Sequence, residues 1–166
     1  MAEAFDEAGL PVDKASRYLV VAEEIASVLK GEPDHTARLA TICAMLAQAF
    51  GDFLWTGFYL VDPARPDELV VGPYQGRLGC LRIALGRGVC GVAAAERRTL
   101  IVPDVEAFPG HIACDSRSRS EIVVPVLSRD GTLVGVLDVD SAAPAAFDDA
   151  DAEGLSRIVG RLVSCD

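Results

Sequence analysis

EIVVPVLSRDGTLVGVLDVD, residues 121–140, is the stretch on which the fold turns. Two runs rich in Val and Leu flank Arg129-Asp130-Gly131. Asp-Gly between two such runs suits a tight turn, so the stretch reads as an antiparallel hairpin. Side chains alternate across a strand, so Asp138 and Asp140, two apart near the end of the second run, point to the same side. Glu121 opens the first run. One hairpin thus gathers three carboxylates at its mouth.

Outward from the hairpin the pattern is consistent. After Phe147, Asp148 can cap a helix whose core stripe is Leu155, Ile158, Val159 and Leu162. Before the hairpin lie FLWTGFYLV (53–61), ELVVGPY (68–74), LRIAL (81–85) and TLIVPDV (99–105), each read as a strand. A short helical piece, VAAAERR (92–98), follows the third. Two helices come first. One runs from Asp13 to Leu29 with the stripe Tyr18, Val21, Ala22, Ile25, Val28 and Leu29. It is stopped by Gly31-Glu32-Pro33. The second is capped by Asp34, carries Leu39, Ile42, Cys43, Leu46 and Phe50, and ends at Gly51. Residues 1–12 lack periodicity and are expected to form a flexible arm ahead of one domain over 13–166. Two helices, a mostly antiparallel sheet and a closing helix make an α+β fold.

Composition bounds the function. With 51% apolar and 24% charged residues, and a mean hydropathy of +0.30, 166 residues can bury a core without disulfides or a metal. The formal charge of −10 opposes binding to nucleic acid or anionic lipid. No apolar run is long enough to span a bilayer, and the acidic start MAEAFDEAGLPVDK lacks the order of a signal peptide, so a cytoplasmic protein is expected. Five cysteines, an odd number, argue against a structural disulfide framework. The closest metal-ligand spacing is His111 with Cys114, and no second pair follows. No metal site and no cofactor are expected.

Several residues can carry chemistry. Gly86-Arg87-Gly88-Val89-Cys90-Gly91 matches G-x-G-x-x-G with Glu106 downstream, which raises dinucleotide binding. The antiparallel hairpin that follows is not a βαβ unit, so the glycines are better read as a turn that leaves Cys90 at a helix N-terminus, where a thiolate is favoured. A small buried cysteine is the alternative there. Cys114 lies in the long polar loop FPGHIACDSRSRS (108–120), an exposed setting that also brings His111 close in sequence and leaves a Cys–His hydrolase open. Cys43 lies on an apolar helix face and reads as core, and Cys165 is near the end of the chain. Three carboxylates in a dry site would raise at least one pKa and supply a proton donor, or would hold an ammonium group. Trp55 and Tyr59, four apart on one strand, share a face and offer an apolar wall.

Together WTGFYL (55–60), GPYQG (72–76), RIALGRGVCG (82–91), GHIACDSRSRSEIV (110–123) and GVLDVDS (135–141) resemble the free methionine-(R)-sulfoxide reductases, a family built on a GAF domain. The resemblance runs from about Ala15 to Leu162. Tyr74 stands where members often carry phenylalanine. The resemblance implies a catalytic set of Cys114, Cys80, Cys90, Glu121, Asp138 and Asp140. Cys114 attacks the sulfoxide sulfur, a carboxylic acid among the three protonates the departing oxygen, and Cys80 condenses with the resulting sulfenic acid. It further implies that Trp55 and Tyr59 wall the substrate, that the carboxylates hold its ammonium, and that main-chain N–H groups from Ile112 and Ala113 to Cys114 polarise its oxygen. A thioredoxin-type reductant and a homodimer belong to the same implication. The helix-terminus argument favours Cys90 as nucleophile, whereas the resemblance favours Cys114. A GAF module that senses a small molecule without chemistry is the alternative from another class.

Overall fold

A computed structural model describes residues 9–163. Residues 1–8 of the expected arm and Cys165 lie outside them. At the inner end of the arm Leu10 packs against the core and the Pro11 carbonyl accepts from Arg17 Nε.

Six strands form one sheet: β1 (Phe53–Asp62), β2 (Arg65–Gln75), β3 (Arg82–Ala84), β4 (Leu100–Val102), β5 (Ser120–Leu127) and β6 (Leu133–Ser141). Their order is β3-β2-β1-β6-β5-β4, and every pairing is antiparallel. The 121–140 hairpin forms as β5 and β6, with Gly131 at φ +82° in its turn. The fold is α+β, as the sequence predicts. The edge strands are shorter than the sequence runs. LRIAL keeps only Arg82–Ala84 and TLIVPDV only Leu100–Val102, because each has a partner on one side alone.

Alternation along the strands divides the core in two. Phe58, Ile122, Val124, Leu137 and Val139 face α1 (Lys14–Val28), α2 (His35–Ala49) and α4 (Asp149–Val163). Asp13 and Asp34 cap the first two helices, accepting from Ser16 N and Ala37 N. Buried Asp151 ties α4 to α1 through the Tyr18 hydroxyl at 2.8 Å and Lys14 Nζ at 2.6 Å. Val28, expected in the α1 core stripe, is 41% exposed, while Leu29 beside it is buried. At the last residue of the helix the stripe has rotated away from α4 and α2, on which α1 packs.

The opposite face carries Trp55, Tyr59, Val123 and Val136, covered by α3 (Gly88–Glu96). Here the G-x-G-x-x-G turn is explained without a nucleotide. Gly86 and Gly88 have φ of +78° and +59°, and a Cβ on Gly91 would sit 2.3 Å from the Ala84 carbonyl oxygen. The glycines close the β3-to-α3 turn and seat the helix on its strand. α3 then connects two antiparallel edge strands, which is not a dinucleotide-binding crossover.

Candidate active site

The register of the central strands builds the floor of a pocket. Glu121 on β5 pairs with Asp140 on β6, and Val123 pairs with Asp138. On the other side of β6, Asp138 and Asp140 pair with Gly57 and Trp55 of β1. All three carboxylates, Trp55 and Tyr59 therefore share the α3 face. They line one cavity of about 40 Å³ with Cys90, His111, Ile112, Cys114 and Ser118.

The aromatic wall is a stack. Trp55 lies between Tyr59 and Tyr74, with ring centroids 5.6 and 5.2 Å away. Its indole Nε1 donates to the Arg77 carbonyl at 3.0 Å, so it also anchors the segment leading to Cys80. Gly79 permits that close approach, since a Cβ there would lie 3.0 Å from the Tyr59 hydroxyl and 3.2 Å from the indole.

Cys80 and Cys114 form a disulfide across 34 residues, with Cα atoms 5.6 Å apart. Cys114 is exposed and Cys80 half-buried. Beside Cys114, Asp115 is gripped by Arg117 at 2.6 Å, which holds its carboxyl down at about 2. Burial lowers the His111 pKa. The Cys114 sulfur is covalently bound to Cys80 in this state, so a Cys–His dyad is not what the loop forms.

Cys90 corrects one expectation. It does sit in the first turn of α3, but it is buried, with its Sγ donating to Glu121 Oε1 over 3.8 Å. Burial first, and then the charges of Asp138 and Glu121, push its thiol well above the usual range. These effects oppose the helix dipole and keep the thiol neutral. Helix position is a local signal, whereas the carboxylates facing Cys90 arrive from strands 31 and 48 residues away.

The acids behave as three like charges in a water-poor site must. Burial and then neighbouring acid charge raise Glu121 and Asp138 well above the carboxylate range. Asp138 Oδ1 has no hydrogen-bond partner. Asp140 rises less, to about 6, because burial is offset by the Ser118 hydroxyl, which donates to its Oδ1. The sequence reading passed over Ser118. It lies in a loop of alternating Ser and Arg, and nothing in that repeat marks one serine as turned inward. Ile112 closes over the α3 turn, its side chain 3.2 Å from where a Cβ on Gly88 would stand. Ala113 is exposed on the same loop.

An antiparallel six-stranded sheet with helices on both faces, and a pocket between sheet and loop, is the architecture of the GAF class. A GAF domain family model matches residues 34–164. The free methionine-R-sulfoxide reductase of Escherichia coli is 40% identical over 151 residues, 91% of this chain and 89% of that one. The same enzyme of Saccharomyces cerevisiae is 47% identical over 132 residues, 77% and 73% of the two chains. The structure of free methionine-R-sulfoxide reductase from Neisseria meningitidis, in complex with its substrate, has a TM-score of 0.88 at 52% identity, covering 93% of this chain and 90% of that one. The chain belongs to the free methionine-R-sulfoxide reductase family of GAF-domain proteins.

The raised acids make stability depend on pH. An acid whose pKa is higher in the folded state binds a proton there that the unfolded chain has released, so the folded state loses ground as pH rises. For Asp140 the window runs from roughly 4, the unfolded value, to about 6. Asp140→Asn should therefore gain stability relative to wild type as pH rises through that window, with a plateau above it. Urea midpoints of both oxidised proteins across the window measure this. A difference that does not vary with pH would contradict it.

Proposed function

We propose that this chain is an oxidoreductase that reduces free L-methionine-(R)-sulfoxide to methionine, with Cys114 as nucleophile and Cys80 as resolving thiol. The observation that carries the reading is a disulfide at the mouth of a pocket floored by three acids, joining a loop cysteine to a half-buried one. A non-catalytic sensing module has no use for that bond.

The reaction balances as follows. The Cys114 thiolate attacks the sulfoxide sulfur, the sulfur–oxygen bond breaks, and the oxygen ends on Cys114 as a sulfenic acid while methionine leaves. Sulfoxide sulfur gains two electrons and Cys114 sulfur loses two. The Cys80 thiol then displaces that oxygen as water and forms the disulfide. An external dithiol restores both thiols and is itself oxidised. A thioredoxin-type protein is the reductant this cycle calls for.

Asp140 is our choice for the proton donor. Its pKa of about 6 is close to neutrality, and Ser118 ties it to the loop that carries Cys114. Glu121 and Asp138 lie deeper and ionise to receive the substrate ammonium, whose charge offsets the burial and mutual repulsion that otherwise keep them protonated. Trp55 and Tyr59 pack on the methyl end. Main-chain N–H groups from Ile112 and Ala113 to Cys114 polarise the oxygen. Cys90 has no redox role in the first turnover, because its thiol is buried and neutral. The catalytic unit runs over 13–166, in the cytoplasm. No helix among the described residues is long and apolar enough to cross a membrane. We also assign a homodimer, supported by Leu19, Val20 and Val28 left exposed on α1.

Cysteine roles separate in a single turnover. Cys114→Ser forms no methionine, whereas Cys80→Ser forms about one per chain without added dithiol. Methionine released per chain from reduced protein reads the result. Methionine formed by Cys114→Ser but not by Cys90→Ser would reverse the assignment.

Acid roles separate in steady state. Asp140→Asn should lower kcat by roughly 10²–10⁴-fold with KM little changed. Glu121→Gln and Asp138→Asn should mainly raise KM. The check is initial rates at saturating reductant over a range of sulfoxide. Uniformly raised KM with unchanged kcat in all three would remove the carboxylates from proton transfer.

A further inference from the structure

The mechanism leaves one group unused. Cys90 is buried, reduced and in contact with two acids, although a serine or alanine would fill the position without a reactive sulfur. One ligand atom each from Cys90, Glu121 and Asp138 lies within 4.8 Å of the other two. A tetrahedral site with zinc–sulfur and zinc–oxygen bonds of about 2.0–2.3 Å needs ligand atoms roughly 3.3–3.8 Å apart. The Cys90 Sγ to Glu121 Oε1 distance is already 3.8 Å.

A second observation points to a ligand at this place. Asp138 is 6% exposed, and although its carboxyl meets Cys90 and Glu121, the Oδ1 atom has no hydrogen-bond partner. A buried acceptor left open is costly and is normally met by a donor, a water or a cation. The cavity above, about 40 Å³, has room for an ion with a water or two. The donors come from α3, β5 and β6, elements that packing holds in place.

We propose that Cys90, Glu121 and Asp138 form a binding site for a thiophilic divalent cation of the zinc class, and that this cation and the sulfoxide exclude one another. Such a cation takes thiolate and carboxylate donors, so it displaces the protons that Cys90, Glu121 and Asp138 hold and releases them to solvent, and a soft sulfur selects it over magnesium or calcium. The exclusion follows because the ion stands where the substrate ammonium would. That half rests on the proposed function, whereas the binding itself does not. Ligand spacing in the sequence gave no sign of the site, since its three donors are 31 and 17 residues apart along the chain.

The experiment uses oxidised protein, in which the Cys80–Cys114 bond removes both redox thiols. Cys43 donates to the Pro73 carbonyl in the core, and Cys165→Ala supplies a background without the terminal thiol. Titration with cadmium ion alone should give a sulfur-to-cadmium charge-transfer band saturating at one ion per chain. Cys90→Ala should lose that band and bind zinc more weakly by at least the 10–100-fold that loss of an outer-shell partner costs. In a Cys80→Ser/Cys114→Ser/Cys165→Ala protein, which has no redox thiol pair, free methionine sulfoxide should raise the cadmium concentration that half-saturates the band in proportion to its own concentration. Absence of the band in the oxidised background protein overturns the site, as does a band unaltered by Cys90→Ala. A band through Cys90 whose midpoint the sulfoxide leaves unmoved overturns the exclusion. Metal binding in a protein that reduces no sulfoxide leaves the site standing and removes the proposed function instead.

Discussion

Glu121, Asp138 and Asp140 share one face because β5 and β6 pair antiparallel, with Glu121 opposite Asp140 and Asp138 two residues further on the same side. This register constrains everything near it. A slip of β5 by one residue against β6 would turn Glu121 into the helical core, away from Asp138 and Asp140, and bring Ile122 into the pocket. The register is secured from both sides. Val124 and Leu137 are buried against the helices, and Gly131 closes the turn.

Placing three carboxylates together costs stability, and the fold offsets that cost with a large apolar core on the opposite face. The acids stay protonated over part of the neutral range because burial and mutual repulsion disfavour their charges. The same cause gives the site its chemistry. In the proposed reaction it supplies a proton donor at the rim and, once ionised, partners for the substrate ammonium beneath. The aromatic stack of Tyr74, Trp55 and Tyr59 adds a dry wall and, through the Trp55 bond to Arg77, positions the chain before Cys80. Acid floor, aromatic wall and disulfide thus meet over one face of the sheet, the acids on β5 and β6, the rings on β1 and β2, and the two cysteines in the segments before β3 and β5.

Much of this was legible from the residues. The hairpin followed from Asp-Gly between apolar runs, and the shared side of Asp138 and Asp140 followed from period two. The helices followed from their stripes and Asp caps. What escaped was set by contacts distant in sequence. Cys90 reads as an activated thiol from its helix alone, but Glu121 and Asp138 arrive from other strands and reverse the outcome. Ser118 turns inward where Arg119 N bonds the Ser141 carbonyl and holds the loop on the end of β6, within reach of Asp140. The pairing of Cys80 with Cys114 came from resemblance, since five cysteines allow many pairings and sequence spacing selects none.

The central claim is that an acid-floored pocket beside a thiol pair reduces a free sulfoxide amino acid. Its most direct test is methionine formation by purified protein with excess dithiothreitol, offered the R epimer, the S epimer and the N-acetylated R epimer separately. The account predicts turnover of the free R epimer, little of the S epimer, and a large loss on acetylation, which removes the ammonium that Glu121 and Asp138 receive. Equal rates on free and acetylated substrate, or no turnover of the R epimer at all, would contradict it.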